Sequence, residues 1–219
     1  MASPAELARL HMVESQLRPN RVVDPAILEA FLLVPREEFV PEHLRNVACI
    51  DEDLPLGNGR WLMEPMVFGR MVQLAEITPE DSVLEIGAGT GYGAAVLARL
   101  ARSVVSVESD PALARKAAAN LARLGVGNAT VREAPLERGW PDSAPYDVIL
   151  FSGAVAEIPT ALADQLAENG RLLAVVRRGS EPGRVTLATK LHGILSQRVV
   201  FDAATPLLPG FAPEPSFVF

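Results

Sequence analysis

The stretch Val83-Leu84-Glu85-Ile86-Gly87-Ala88-Gly89-Thr90-Gly91-Tyr92 constrains the fold more than any other part of the chain. A short apolar run enters a loop with glycine at every second position, and an alanine-rich apolar segment follows over 92–101. That order reads as strand, turn and helix, with the loop at the carboxyl end of the strand. Glycine removes the Cβ and admits positive φ, so a ligand can lie against the backbone. Open parallel sheets bind their ligands at that end of the strands. Three glycines in five residues exceed what a bare strand-to-helix turn needs.

The same grammar continues downstream. Residues 82–86, 103–107, 129–132, 147–151 and 171–176 read as short apolar strands, and 111–124 and 159–167 as helices between them. Continuous apolar strands joined by helices indicate a doubly wound, mostly parallel α/β sheet covered on both faces. Segments 184–191 and 194–201 have no helix between them, and Gly193 marks a turn, so an antiparallel hairpin is expected to close the sheet. Upstream, 5–16 carries Leu7, Leu10 and Val13 at helical spacing. Asp24 and Pro25 read as the cap and first turn of a helix that Pro35 stops. A further short turn is expected over 37–45. Residues 46–59, containing Gly57, Asn58 and Gly59, are expected to be loop, and 65–75 a helix with Met66, Met71, Val72 and Leu74 inward. The expected division is a helical N-terminal addition with a substrate-side loop over 1–78 and a ligand-binding core over 79–219. The Pro-rich tail, 206–219, reads as an extended strip.

Two ligand classes compete for the loop. A dinucleotide pattern fails from Gly87, because Tyr92 takes its last position, and matches formally from Gly89 through Gly91 and Ala94. That register leaves Glu85 and Gly87 without a role. Acidic-x-Gly-x-Gly-x-Gly uses both, and it is the pattern of S-adenosylmethionine methyltransferases, in which the acid helps orient the loop and the amino-acid end of the cofactor. Glu108 ends the second strand, where a carboxylate can accept hydrogen bonds from two ribose hydroxyls. A solvated capping acid beside Asp110 is the plainer reading of the same residue.

Several further segments resemble one family, the protein-L-isoaspartate O-methyltransferases. They are Met12-Val13-Glu14-Ser15-Gln16-Leu17-Arg18, Val34-Pro35-Arg36-Glu37-Glu38-Phe39-Val40-Pro41, Asp53-Leu54-Pro55-Leu56-Gly57-Asn58-Gly59, the glycine loop with its helix, Tyr146-Asp147 and Glu157-Ile158-Pro159. The resemblance runs in order from about residue 12 to 210. It implies a seven-stranded, Rossmann-like class I methyltransferase core. It further implies S-adenosylmethionine held by Glu85, Gly87, Ala88, Gly89, Thr90, Gly91, Tyr92, Glu108 and Glu133, and methylation of the isoaspartyl carboxylate in damaged protein. The substrate loop falls on Gly59, Arg60, Trp61, Leu62, Met63 and Glu64. There the family reads Gln-Thr-Ile-Ser-Gln-Pro, so Trp61 and Met63 replace two hydroxyls, and Met63 stands at the family's hydroxyl position, leaving no catalytic residue assigned. Glu64 brings a new carboxylate to the side an anionic acceptor approaches, which opposes binding unless it is protonated or paired. Arg60 is the expected pair. The family's adenine-side Asp falls at Pro135, and Glu133, two positions away, is the candidate substitute.

Methyl transfer to a carboxylate needs no general base, because a group of pKa about 4 is ionised at pH 7. The lack of a Ser/His/Asp or Cys/His constellation therefore does not count against an enzyme. The apolar residues Trp61, Leu62 and Met63 either dry an acceptor site, plug it, or form core under the loop. A different acceptor, such as a small molecule, and a protein that binds the cofactor without transfer are the alternatives. Composition excludes other classes. The formal net charge of −7 disfavours nucleic acid as a partner, and Arg171, Arg177, Arg178 and Arg184 read as a solvated strand end. A lone cysteine, Cys49, forbids an internal disulfide or a thiolate zinc site, and His11, His43 and His192 are too scattered for a metal site. No apolar run approaches the ~20 residues of a membrane span. Charged residues interrupt the first 20 positions, so a cytoplasmic location is expected.

Overall fold

The computed structural model describes residues 2–179 and 181–212. In chain order the elements are α1 (Pro4–Met12), α2 (Pro25–Leu33), β1 (Leu54–Gly57), β2 (Arg60–Leu62), α3 (Pro65–Ala75), β3 (Ser82–Ile86), α4 (Tyr92–Leu97), β4 (Ser103–Glu108), α5 (Pro111–Arg123), β5 (Ala129–Glu133), β6 (Tyr146–Val155), α6 (Thr160–Ala163), β7 (Leu166–Val176), β8 (Arg184–Leu191) and β9 (Ile194–Asp202). Seven strands form one sheet in the order β5-β4-β3-β6-β7-β8-β9. The pairs from β5 through β7 are parallel, and β8 and β9 add antiparallel. The chain winds outward in one direction from β3 through β4 to β5, then returns to β6 on the other side of β3. The carboxyl end of β3 is therefore the topological switch point, where such sheets hold ligands.

Alternation along the central strands sorts the core into two clusters. Val83, Val104, Val148, Leu150 and Leu173 face the front helices, while Leu84, Ile86, Val107, Ile149, Phe151 and Leu172 face the other way. The first face is covered by α2, α3, α4 and Leu121 of α5. The second is covered by Leu162 of α6, Leu136, and Leu208 and Phe211 of the C-terminal strip. That strip runs along the extended end of β6. Pro206 O accepts from Ala154 N at 2.9 Å, and Leu208 N donates to Ala154 O at 2.8 Å. The tail is thus extended over 206–208 and then turns at Pro209–Gly210, where Phe211 N donates to Leu208 O at 3.2 Å; residues 213–219 lie outside the described residues.

The structure corrects several expectations. Leu7 and Leu10 are exposed; Arg9, Met12, Val13 and Leu17 take the inward face of the first helical stretch. Arg9 can be buried because its Nε donates to Leu32 O at 2.8 Å and its Nη1 pairs with Glu37. Residues 54–62 are a β-hairpin, not loop, with Asn58 and Gly59 both at positive φ in the turn, the backbone an Asn-Gly hairpin turn demands. The helix expected over 159–167 shrinks to α6, because β7 starts five residues earlier than the sequence suggested. Arg171 is not part of a solvated end. Its guanidinium donates to Ala75 O (2.8 Å), Glu76 O (3.1 Å) and Asp81 Oδ2 (2.6 Å), capping the carboxyl end of α3.

Candidate active site

At the end of β3 the backbone turns back onto β4: Gly87 N and Ala88 N both donate to Val107 O, at 2.9 and 3.0 Å. Gly87, Gly89 and Gly91 have φ of +91°, +55° and +93°, values that side chains strain to adopt. Gly91 also leads into α4 with the Ala117 backbone 3.2 Å from where its Cβ would stand. Two buried carboxylates support this loop. Glu85, on β3, accepts from Ser106 Oγ and Ser152 Oγ, each at 2.7 Å, and a Cβ on Gly93 of α4 would collide with its Oε1. Burial raises the Glu85 carboxyl above its usual range, against the two serine hydroxyls. Glu85 thus locks β3, β4, β6 and α4 together beneath the loop. Glu108, at the end of β4, accepts from Gly89 N at 2.7 Å through Oε2, and from Ser109 N and Asp110 N at 2.9 and 3.1 Å through Oε1.

The other loop residues face the interior. Thr90 Oγ1 donates to Phe39 O at 2.5 Å, and Thr90 O accepts from Asn120 Nδ2, which pins the loop to the segment 35–39. Tyr92 lies among Phe31, Phe39 and Phe68, with ring centroids 5.5–6.2 Å away, and the Arg36 guanidinium is 4.8 Å from its centroid. Burial pushes its phenol to about 12. Glu133 is exposed at the end of β5, in register with Glu108. With Ser109, Ala134 and Pro135 it lines an open cleft of about 440 Å³.

The hairpin β1–β2 covers the inner part of the crevice. Gly59 makes its turn, and the Arg60 guanidinium lies on Glu108, with Nη2–Oε2 3.2 Å and Nε–Oε2 3.3 Å. Arg60 is 3% exposed and Glu108 wholly buried. The pairing of Arg60 with Glu64 expected from the sequence is therefore replaced by a pair with Glu108. Leu62 and Met63 are buried in the core, and Trp61 is 37% exposed. Met63 O accepts from Arg36 Nη2 at 2.7 Å. Glu64 precedes α3, and its N–H donates to Asp53 Oδ1 at 2.9 Å. Burial first, then Asp53, Asp51 and Glu52, raise its carboxyl to about 7. Burial and the three neighbouring carboxylates thus favour the protonated form of Glu64 below about pH 7.

The match to known proteins covers nearly the whole of this architecture. Residues 8–203 match the family model of the protein-L-isoaspartate(D-aspartate) O-methyltransferases. The chain belongs to that family. It is 42% identical over 182 residues to a protein-L-isoaspartate O-methyltransferase 1 of Rhodopseudomonas palustris, covering 83% of this chain and 74% of that one. A protein-L-isoaspartate O-methyltransferase of Gloeobacter violaceus is 41% identical over 190 residues, 87% of this chain and 93% of the relative. Among solved structures, one protein-L-isoaspartate O-methyltransferase superposes with a TM-score of 0.81 at 27% identity, over 92% of this chain and 66% of that one. Another, from Plasmodium falciparum and bound to S-adenosyl-L-homocysteine, gives 0.78 at 18% identity over 94% and 99% of the two chains, a likeness of fold.

The family's cofactor can be tested against the crevice. The donor set fits a nucleoside. Glu108 is fixed by backbone N–H groups at the end of β4, and Gly87 and Gly89 present walls without side chains. The space is taken by the protein itself. A Cβ on Gly87 would meet Arg60 Nη2 at 2.6 Å and Leu208 Cδ2 at 2.9 Å, and one on Gly89 would meet Leu56 Cδ1 at 2.9 Å. The cavity left among Leu56, Trp61, Met63, Gly87 and Gly89 is about 20 Å³, against the ~300 Å³ or more of small-molecule sites. The residues fit the group once Arg60, Leu56 and Leu208 move aside. The glycine loop and Glu108 meet at this crevice as the sequence placed them; Leu56 and Asn58 lay within the family-like segment 53–59 without a role of their own, and Leu208 was not among the expected site residues. The Asn-Gly pair before Arg60 was the available signal that a hairpin would aim this cation.

Proposed function

We propose that this chain is an S-adenosylmethionine-dependent methyltransferase acting on the carboxylate of damaged, isoaspartyl-containing protein. The observation that carries the reading is the glycine cradle with Glu108 at the switch point of the sheet, in a chain matching the isoaspartyl methyltransferase family over residues 8–203. Glu108 would take the ribose hydroxyls, Gly89 N–H would hold that carboxylate in place, and Ser109, Glu133 and Ala134 would border the base. Glu85 sets the loop from below. When bound, S-adenosylmethionine supplies an electrophilic methyl group on a sulfonium.

The chain's own residues would act by positioning and by excluding water. The acceptor carboxylate arrives ionised, so the work is to hold it near van der Waals contact and in line. Trp61, Leu62 and Met63 give the substrate side an apolar wall, and a drier site favours a step in which opposite charges cancel. Glu64, neutral below about pH 7, repels the acceptor only above that pH. A second reading is cofactor binding without transfer. It is favoured by the absence of hydroxyls at Trp61 and Met63 and by the closed crevice. Incubation with methyl-labelled S-adenosylmethionine and an isoaspartyl peptide tests the first reading: base-labile label on the peptide is expected. Cofactor binding with no label on any peptide selects the second.

A further inference from the structure

This inference rests on reading the crevice as a nucleoside site. We propose that Arg60 is a built-in competitor for the cofactor's sugar: its guanidinium holds the Glu108 carboxylate in a closed state, and the nucleoside binds only after Arg60 has withdrawn with the tip of the β1–β2 hairpin.

Glu108 makes two kinds of contact. Three of its contacts are backbone N–H groups of Gly89, Ser109 and Asp110 at 2.7–3.1 Å. They fix the carboxylate whether or not Arg60 is present. The acceptor capacity that remains goes to Arg60, and a vicinal diol would need that same capacity. Arg60 holds it at 3.2–3.4 Å, longer than the ~2.7–2.9 Å of strong charge-assisted pairs. The backbone set is thus permanent and the guanidinium exchangeable. The same guanidinium lies over Gly87, where the cradle has no side chain. Sugar and guanidinium therefore exclude each other on two counts, lone pairs and space.

The segment carrying Arg60 is suited to leave. Its strands are four and three residues long, form a two-stranded sheet of their own and carry a register shift between Pro55 and Gly57; Leu54 and Leu62 anchor the base of the hairpin in the core, so the part suited to move is the tip, 56–60. Around Gly57 and Gly59, both at positive φ, there is open space for 4 Å where a Cβ would project. Apart from Arg60 and Leu56, the tip is tied by Asn58 Nδ2 donating to Asp110 Oδ2 at 2.6 Å, an exposed contact. All three ties end on the glycine loop, on the last residue of β4 or on the turn after it, the crevice a nucleoside would enter.

S-adenosylhomocysteine titrated by calorimetry into the wild-type protein and into Arg60→Gln tests the proposal. A closed state at ~90% occupancy weakens the apparent affinity about tenfold, so Arg60→Gln is expected to bind about tenfold more tightly. Trp61 gives a second readout. In a Trp140→Phe background it is the sole tryptophan. Its emission should change on binding, at a rate that levels off with rising ligand in wild type and keeps rising in Arg60→Gln. Equal or weaker binding by a folded Arg60→Gln protein, with wild type binding normally, overturns the competitor and leaves the nucleoside site standing. No heat from either protein overturns the nucleoside site and the competitor with it. If Arg60→Gln does not fold, Asn58→Ala carries the comparison. It frees the tip at an exposed position and should also tighten binding; unchanged affinity together with a binding rate linear in ligand overturns the proposal.

Discussion

Arg36 is the wholly buried arginine that ties the front of the molecule to the hairpin. Its Nε donates to Ala48 O and its Nη2 to Met63 O, both at 2.7 Å, and these carbonyls bracket the segment that contains β1 and β2. Replacing it in Arg36→Met keeps most of the apolar volume and removes both donors. Hydrogen bonds from a charged donor contribute ~1.5–3 kcal/mol each. Against that loss stands the desolvation of a buried cation, several kcal/mol, which methionine avoids. The desolvation offsets part of that loss, and the balance is a destabilisation of about 1–3 kcal/mol, or roughly 2–12 °C in melting temperature for a chain of this size. Urea and thermal unfolding followed by circular dichroism measure it. Tyr92→Phe tests the neighbouring hydroxyl, which is buried and, among the described residues, pairs with no group except the adjacent Arg36 guanidinium, so its removal should cost less than ~1 kcal/mol. A loss below ~1 kcal/mol in Arg36→Met would refute the reasoning, because two desolvated carbonyls cannot lose charged donors so cheaply.

Gly93→Ala drives a Cβ into Glu85 Oε1, so the variant should lose about 1–3 kcal/mol and its affinity for S-adenosylhomocysteine. Gly193→Ala, in an open turn, should cost only the strain of its positive φ and leave affinity unchanged; thermal melts and calorimetry on the two compare them. Folded Glu64 keeps its proton to about pH 7, whereas the unfolded chain releases it near 4.5. Between those values the folded state binds more protons, so stability falls as pH rises across the window. Glu64→Gln should flatten that fall in urea midpoints measured at pH 5 and pH 8, and an unchanged slope would assign it to other groups. Arg171→Ala removes the donors to Ala75 O and Glu76 O and breaks the pair with Asp81; a loss of about 2–4 kcal/mol is expected, read from the same urea titrations.

What the sequence revealed follows from how locally each feature is determined. The central strands were legible because burial on both faces makes them continuous apolar runs, and β3 and its glycine loop stand where the residues placed them. Asp24 caps α2 through its own side chain, Oδ1 to Ala26 N at 2.8 Å, a contact that two neighbouring letters suffice to indicate. Leu7 and Leu10 were misassigned because periodicity counts apolar residues, whereas the inward position belongs to Arg9, made affordable by Leu32 O and Glu37 far along the chain. The early start of β7 at Leu166 was hidden because 166–170 mixes polar residues with Gly170, the composition of a loop. At the site, Glu85, Glu108 and the glycines were readable as a motif. The hold of Arg60 on Glu108 was not, since it joins residues 48 positions apart through a hairpin whose Asn-Gly turn read as loop.

A crystal structure grown with saturating S-adenosylhomocysteine bears most directly on the central claim. The expected map shows the two sugar hydroxyls on the Glu108 carboxylate, the nucleoside against Gly87 and Gly89, and the Arg60 side chain withdrawn with the tip of its hairpin. A map in which Arg60 keeps its place on Glu108 and the cradle holds no nucleoside would contradict it.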